Sequence, residues 1–418
     1  MNMAEISAER IMEHVAEIVS YGPRMDGSPA SVKAANYVGK YLEKYGCDVD
    51  YMPLEFPLVQ ESAASLVAFF DGEEWDIQCL ANGRSRLTDI NGLETEAVFV
   101  GAGLDEDYAG IDCRGKIVFA AEEHYWQGEN LVATKYLRAI RNGAAAFVFS
   151  DQRTDGAITC WTVTPELTEI PFVAIAYKDF LRLSELAKTN SLRVRLKVTG
   201  QVVQSTDYMV TGILPGTDPN AGNIFINGSH HETVAHCPGA NDNASGNAIM
   251  LELAKYFSKR EHRHNLVFLS TCAEECACYG MKKYIEAKKD LIYDGVAAFI
   301  IDQVAGGNAG ILKQGLKYDG EFLTPTEAYY SSAPELIDLM VSTAEKMGYI
   351  LPVYDEKGGG MGEAGNFIEH GVPSVFLCGY NTDLAYHTPG DGLDKVSANS
   401  LKAIAEIICA TVLDLDKK

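Results

Sequence analysis

The sequence lacks the long apolar runs, the basic surface and the basic leader that would identify several classes of protein. None of its apolar runs approaches the roughly 20 residues that a membrane-spanning helix needs. Residues 1–5 include no basic stretch followed by an apolar core, so we do not expect a secretory signal peptide. Its 35 Lys and Arg are outnumbered by 58 Asp and Glu, which gives a net charge of −23. This acidity argues against nucleic acid and anionic membrane as partners.

The ten cysteines have neither the framework of a disulfide-rich domain nor the paired C-x-x-C spacing of a structural zinc site. In the absence of an expected signal peptide, we interpret them as reduced thiols of a cytoplasmic protein. Cys272, Cys276 and Cys278 flank a pair of glutamates, so zinc ligation by thiolate is an alternative. Their spacing favours small, buried packing residues.

What the sequence does contain is a set of short apolar runs, each followed by side chains that can bind metal. The runs lie at 224–226, 266–269 and 297–301. Short apolar runs bounded by polar loops are typical of buried strands in an α/β sheet, and ligands gather beyond the carboxyl ends of such strands. We therefore expect one cleft to collect His230, Asp242, Glu274, Glu275 and Asp302.

With 418 residues, the chain is long enough for two or three domains. Apolar spacing predicts helices at about 8–20, 31–45, 129–142, 333–347 and 397–415, with strands between them. The stretch 58–199, called the inserted lobe below, is predicted to be mostly strands. The predicted fold is α/β: a discontinuous domain, 1–57 and 200–418, with a central mixed sheet flanked by helices, and a β-rich domain inserted at 58–199.

The candidate residues suit two metal ions that act together. Such ions lie about 3.5–4 Å apart, share a water molecule, and need a bridging carboxylate and a nearby base. Glu274 and Glu275 cannot both reach one metal from a regular strand. At a strand-to-helix turn, one of them can bind metal while the other accepts the proton of the water.

Each of these residues alone has a simpler explanation. A single His at a strand end is more often structural, and adjacent glutamates usually lie on a solvated face. Asp242 would suit a helix N-cap, and Asp391 would suit a turn. The combination, in this order, is more specific than any of its members.

The combination resembles the M28 family of zinc peptidases. The resemblance rests on Gly-Ser-His-His-Glu at 228–232, the Gly-Ala-Asn-Asp-Asn-Ala-Ser-Gly loop at 239–246, the glutamate pair at 274–275, Ile-Ile-Asp at 300–302 and Tyr-His-Thr-Pro-Gly-Asp at 386–391. It covers about 1–57 and 200–418. The inserted lobe resembles, more loosely, a protease-associated (PA) domain, in its segments at 115–118, 142–145 and 170–173.

The resemblance implies two zinc ions per chain and a role for each matched residue. Asp242 would bridge the ions, His230 and Asp302 would complete one site, and Glu275 and His387 would complete the other. Glu274 would be the general base. Tyr386 would support the oxyanion, and Asp391 would orient an imidazole from outside the ligand set.

Two departures from the family pattern leave questions open. Glu232 stands where the family usually has Asp, so its carboxylate is displaced by one methylene, and His231 is an alternative ligand to the favoured His230. At Gly362-Glu363, relatives tend to have Ser-Asp.

The predicted function is that of a di-zinc exopeptidase that releases N-terminal amino acids from short peptides. Two alternatives are a non-catalytic binding protein on the same fold and a glutaminyl-cyclase-like acyl transferase with one zinc ion. Bound metal per chain would distinguish them: two, none or one. The sequence does not decide side-chain preference, and it leaves the oligomeric state open, with a homo-oligomer as one alternative.

Overall fold

The computed structural model describes residues 5–122, 132–154, 156–189, 191–306, 309–313, 316–318, 323–325, 333–355, 362–379 and 385–417. Of the glycine-rich run at 358–362, for which the sequence predicts a flexible loop, residues 358–361 lie outside these ranges and Gly362 is the first residue of a helix. Within the described residues, no helix is both long and apolar enough to cross a membrane.

The helices begin where the sequence supplies caps. Ser7 and Ser28 each accept a hydrogen bond from a backbone N–H of the first turn, and Pro29 fits the first helical position. The described helices are α1 (Ala8–Val19), α2 (Pro29–Lys44), α3 (Val132–Arg141), α4 (Tyr177–Ala187), α5 (Ser245–Phe257), α6 (Tyr279–Ala287), α7 (Lys289–Tyr293), α8 (Pro334–Lys346), α9 (Gly362–Glu369) and α10 (Ala398–Leu415).

The strands range from three-residue segments to two that exceed twenty residues. They are β1 (Asp48–Phe70), β2 (Glu73–Ile77), β3 (Cys79–Ala81), β4 (Leu93–Phe99), β5 (Ile117–Glu122), β6 (Ala146–Asp151), β7 (Phe172–Ile175), β8 (Arg193–Leu214), β9 (Asn223–His230), β10 (Asn265–Thr271), β11 (Gly295–Asp302), β12 (Ala309–Lys313), β13 (Leu316–Tyr318), β14 (Leu323–Pro325), β15 (Val353–Asp355) and β16 (Ser374–Gly379).

The predicted mixed sheet with helices on both faces is confirmed. Its centre has the order β16-β11-β9-β10-β8, in which β9, β10, β11 and β16 are parallel and β8 is antiparallel to β10. Along β9, Ile224 and Ile226 face the core under α1, α2, α5, α8 and α10, whereas Phe225 faces the core under α6, α7 and α9. A strand that is buried on both faces has a continuous apolar sequence, which is why the sequence predicted these strands.

The inserted lobe is connected to the rest of the chain by a long two-stranded ribbon. β1 and β8 pair antiparallel from Asp48 with Ile213 to Phe69 with Arg193, so both predicted domain boundaries fall inside continuous strands. The lobe has its own parallel strands β4, β5, β6 and β7. Helix α4, which the sequence did not predict, buries Phe180 and Leu183 against them. The domain division and the PA assignment stay predictions.

Candidate metal centre

The parallel strands bring their carboxyl ends to one edge of the sheet. β9 ends at His230, β11 ends at Asp302, and the loop after β10 carries Glu274 and Glu275. His387 lies beyond the end of β16. Neighbouring parallel strands end side by side, so these side chains meet although the chain separates them widely.

The loop before α5 brings Asp242 to the same edge. Asp391 fixes this loop, because its two carboxylate oxygens accept hydrogen bonds from the backbone N–H groups of Asn241 (2.9 Å) and Asp242 (3.0 Å). The side-chain amide of Asn243 donates to the carbonyls of Gly228 and Ile301, each at 2.9 Å. The loop is therefore tied to the ends of both β9 and β11. The Asp242–Asn243 peptide bond is cis.

The side chains form two groups that share Asp242. In the first group, Nε2 of His230 lies 3.1 Å from Oδ1 of Asp242 and 3.5 Å from Oδ1 of Asp302. In the second, Nε2 of His387 lies 3.3 Å from Oδ2 of Asp242 and 3.0 Å from Oε1 of Glu275. In each group the potential ligand atoms lie within 4.8 Å of one another. Asp242 thus presents one oxygen to each group.

The donor set fits metal ions better than it fits a closed hydrogen-bond network. Among the described residues, neither oxygen of Asp242, nor Oδ1 of Asp302, has a hydrogen bond of acceptable geometry, although all three atoms are buried. A buried polar atom without a partner is costly, so such atoms call for a ligand. Imidazole nitrogens and carboxylate oxygens are ligands that zinc accepts.

Carboxylates and imidazoles of the two ligand groups strongly shift each other's pKa values. Burial opposes ionisation of Asp242, but the imidazoles of His230 and His387 lower its pKa below the usual value. Burial also disfavours the charged imidazolium of His387, yet Glu275 and Asp242 raise its pKa to about 10. Opposite charges a few ångströms apart stabilise each other's ionised form in this way.

The glutamate pair is held by backbone hydrogen bonds just beyond β10. Asp26 accepts from the N–H of Ala273 at 2.7 Å, and Oε1 of Glu232 accepts from the N–H of Glu274 at 2.7 Å. The Glu274 carboxylate also accepts a hydrogen bond from the thiol of Cys278, with 3.3 Å between Oε1 and Sγ. Sequence reasoning gave Glu274 no partner and treated Cys278 as a packing residue, so it missed this contact.

The surroundings of Glu274 shift its protonation. Burial, reinforced by the charges of Glu275, Asp302 and Glu363 and opposed by His230, raises the pKa of this carboxyl to about 8. Glu363 is itself fully buried and accepts hydrogen bonds from Asn227 (2.8 Å) and Ser229 (3.1 Å).

The two adjacent histidines occupy different environments. His230 points to Asp242 and Asp302, and its Nδ1 lies 3.0 Å from the carbonyl oxygen of Glu232. Nδ1 of His231 lies 3.0 Å from Oγ of Ser270, and its Nε2 lies 3.3 Å from Oδ1 of Asp207. This geometry places His230, and not His231, with the paired carboxylates.

Tyr386 lies beside the second group, stacked on His387 with 3.7 Å between ring centroids. Trp161 of the inserted lobe packs against the same imidazole, with 4.5 Å between centroids. The sequence gave no sign of this contribution, because Trp161 lies far from every matched motif.

With this geometry in place, comparison with known proteins decides the family. Residues 209–412 match the model of Peptidase family M28. This part of the chain belongs to peptidase family M28. The matched segment contains every candidate ligand and Glu274, and it makes the protein a metallopeptidase.

Relatives of the M28 domain extend the likeness over nearly the whole chain. Aminopeptidase YwaD of Bacillus subtilis is 24% identical over 95% of this chain and 82% of its own length. A solved aminopeptidase from Aneurinibacillus sp. strain AM-1 is 26% identical, with a TM-score of 0.71 and coverage of 99% of this chain and 94% of that one. BSAP, a zinc aminopeptidase from Bacillus subtilis, shares the fold with 21% identity, a TM-score of 0.72 and coverage of 98% and 95%.

Proposed function

We propose that this M28 protein is a two-zinc aminopeptidase that releases N-terminal amino acids from short peptides. The observation that carries the proposal is the placement of Asp242, whose two oxygens face two separate groups of imidazole and carboxylate ligands. The names of the aminopeptidase relatives support the choice of zinc and of the substrate's free amine.

The ligand assignment follows the two groups. His230 and Asp302 would hold one ion, His387 and Glu275 would hold the other, and Asp242 would touch both. Bound zinc supplies Lewis-acid polarisation of the scissile carbonyl and lowers the pKa of a coordinated water.

The protein's own part in the reaction is proton transfer. Glu274 accepts a proton from the attacking water and returns it to the nitrogen of the leaving amine, which lets the C–N bond break. Its position suits this task, because the hydrogen bonds from its own N–H to Glu232 and from the Cys278 thiol fix the carboxylate beside Glu275. Tyr386 is proposed to support the oxyanion of the tetrahedral intermediate from its place against His387.

Two other functions predict different metal contents. A non-catalytic binding protein would hold no metal, and a glutaminyl-cyclase-like acyl transferase would hold one zinc ion. The duplicated ligand set around Asp242 favours two ions over either alternative.

The direct test is a panel of short peptides with a free amino terminus, a blocked amino terminus or a blocked carboxyl terminus, with products identified by mass. We expect release of the first residue from peptides with a free amine, whether or not the carboxyl terminus is blocked. Cleavage of N-blocked peptides at the carboxyl end would instead identify a carboxypeptidase. Loss of activity with a chelator and its return with zinc complete the test.

A further inference from the structure

The two candidate histidine ligands are supported in different ways. A metal-binding His usually donates its second ring N–H to a carboxylate or carbonyl, which fixes the orientation of the ring. His230 has such a partner, the carbonyl of Glu232, at 3.0 Å from its Nδ1. Among the described residues, Nδ1 of His387 is buried and has no hydrogen-bond partner. The orientation of His387 must therefore come from packing.

That packing comes largely from the inserted lobe. The ring of Trp161 meets His387 edge to face, with 4.5 Å between centroids and 69° between planes. The backbone N–H of the preceding residue, Cys160, donates to the carbonyl of His387 at 2.9 Å. Tyr386 also stacks on the imidazole, and its ring lies 5.8 Å from the Trp161 ring.

The local backbone gives His387 little additional support. Its φ is 57°, in the left-handed region that few residues other than glycine adopt. The turn that contains His387 is closed by Thr388, whose N–H and hydroxyl both donate to the carbonyl of Ala385. These bonds shape the turn without contacting the imidazole.

Trp161 is itself held firmly within its lobe. Its backbone N–H donates to Oδ1 of the buried Asn82 at 2.7 Å, and its backbone carbonyl accepts from the N–H of Gly83 at 2.9 Å. The guanidinium of Arg153 lies 5.9 Å from the Trp161 ring and 5.8 Å from the Tyr386 ring, and the Arg153 side chain is tied to Asp151 at the end of β6. A fixed aromatic ring can hold a neighbouring ring in one orientation, because edge-to-face pairs have a preferred geometry.

We propose that Trp161 is a positioning residue that orients His387 toward the second metal position, so that metal binding by the M28 domain depends on the inserted lobe. The proposal rests on the proposed two-zinc function. It gives the lobe a role beyond control of access, although Trp161 touches a ligand and no reacting atom.

The test measures zinc affinity, so it does not depend on activity. Metal-stripped wild type, Trp161→Ala and Trp161→Phe are titrated with zinc in competition with a chromophoric chelator. Trp75→Ala is the matched control, because Trp75 is also a partly exposed tryptophan of the inserted lobe, packed on Phe70 and Arg182. We expect wild type and Trp75→Ala to bind two ions with the same affinities.

In Trp161→Ala, the affinity of one of the two ions should fall by about 10- to 100-fold, the usual effect of losing a group that orients a ligand. Trp161→Phe keeps an aromatic edge and should restore most of that affinity. If the alanine variant does not fold, Trp161→Leu fills the space without a ring and should show the same loss for one ion. Unchanged affinities for both ions in Trp161→Ala or Trp161→Leu would overturn the proposal. Wild type that binds fewer than two ions would instead overturn the proposed two-zinc function.

Discussion

At the scale of single residues, the proposed function assigns different tasks to the adjacent Glu274 and Glu275. Oε1 of Glu275 lies 3.0 Å from Nε2 of His387, within the second ligand group. The Glu274 carboxylate belongs to neither shared group of Asp242 and accepts a hydrogen bond from Cys278. A regular strand would point these two side chains to opposite faces. The turn after β10 instead brings both carboxylates to within 4.8 Å of each other and of His230.

Substitution should separate these tasks. Glu274→Gln keeps the size and hydrogen bonding of the side chain but removes the base, so both zinc ions and near-normal substrate binding should remain. We expect kcat to fall by at least about 100-fold, as for loss of a general acid–base group. Steady-state kinetics measures kcat, and elemental analysis of the same preparation measures bound zinc. Glu275→Gln is the matched control, and it should weaken metal binding at one site. A Glu274→Gln enzyme that retains most of its kcat with both metals bound would exclude Glu274 as the base.

The candidate ligands could be predicted from the sequence because each stands at a fixed place in a short motif. Asp26, Cys278 and Trp161 could not be assigned in this way. Asp26 accepts a hydrogen bond from the N–H of Ala273, 247 positions later in the sequence. Trp161 contacts His387, which is more than 200 positions away. Such contacts depend on how the folded segments pack, which a single sequence does not encode in local spacing.

At the scale of elements, the ribbon of β1 and β8 shows where local patterns misled. The sequence predicted domain boundaries at 57/58 and 199/200, where the pattern of predicted elements changes. In the structure Pro57 pairs with Gln204 inside the ribbon, and an irregularity between Gln60 and Ala63 accommodates the change of register. The buried strands β9, β10 and β11 were predicted correctly, since their apolar runs are continuous.

A buried ion pair joins the inserted lobe to the turn that carries Glu274. Nη2 of Arg84 lies 3.1 Å from Oδ2 of Asp26, and both side chains are almost completely buried. The other oxygen of Asp26 accepts the N–H of Ala273. Arg84 also donates to the carbonyl of Pro57. The pair thus connects four segments of chain, around residues 26, 57, 84 and 273.

The costs of removing the two partners of this ion pair should not add. Asp26→Leu leaves the Arg84 charge buried and uncompensated, which typically costs about 3–5 kcal/mol in the free energy of unfolding. Arg84→Met should show a cost of similar origin, and the double variant should be less unstable than the sum of the two. Urea unfolding of the four proteins measures the coupling. Strictly additive effects would show that the pair does not act as a unit.

At the scale of the whole molecule, the inserted lobe lies against the candidate metal centre. Cys160 and Trp161 contact His387, and Nε2 of His236 in the M28 domain lies 3.2 Å from the carbonyl oxygen of Ala81 in the lobe. The lobe therefore borders the cleft on the side of the second ligand group. We expect this arrangement to favour substrates that can enter as a short, flexible chain.

We expect the enzyme to trim short peptides and to leave folded proteins without internal cleavage. The comparison uses one small protein in its folded state and a peptide with the same first residues, with products identified by mass. Release of the first residue should be much faster from the peptide, because the folded protein cannot reach past the lobe. Efficient internal cleavage of the folded protein would contradict this view of access.

The central claim is that Asp242 bridges two zinc ions, and zinc content per chain tests it most directly. Wild type and Asp242→Ala are loaded with zinc, freed of excess metal and analysed for elemental composition. Asp290→Ala, a change at an exposed aspartate of α7, is the matched control. Because Asp242 faces both ligand groups, its loss should abolish binding of both ions. The account predicts two zinc ions in wild type and control and none in Asp242→Ala. An Asp242→Ala protein that still holds two zinc ions per chain would contradict it.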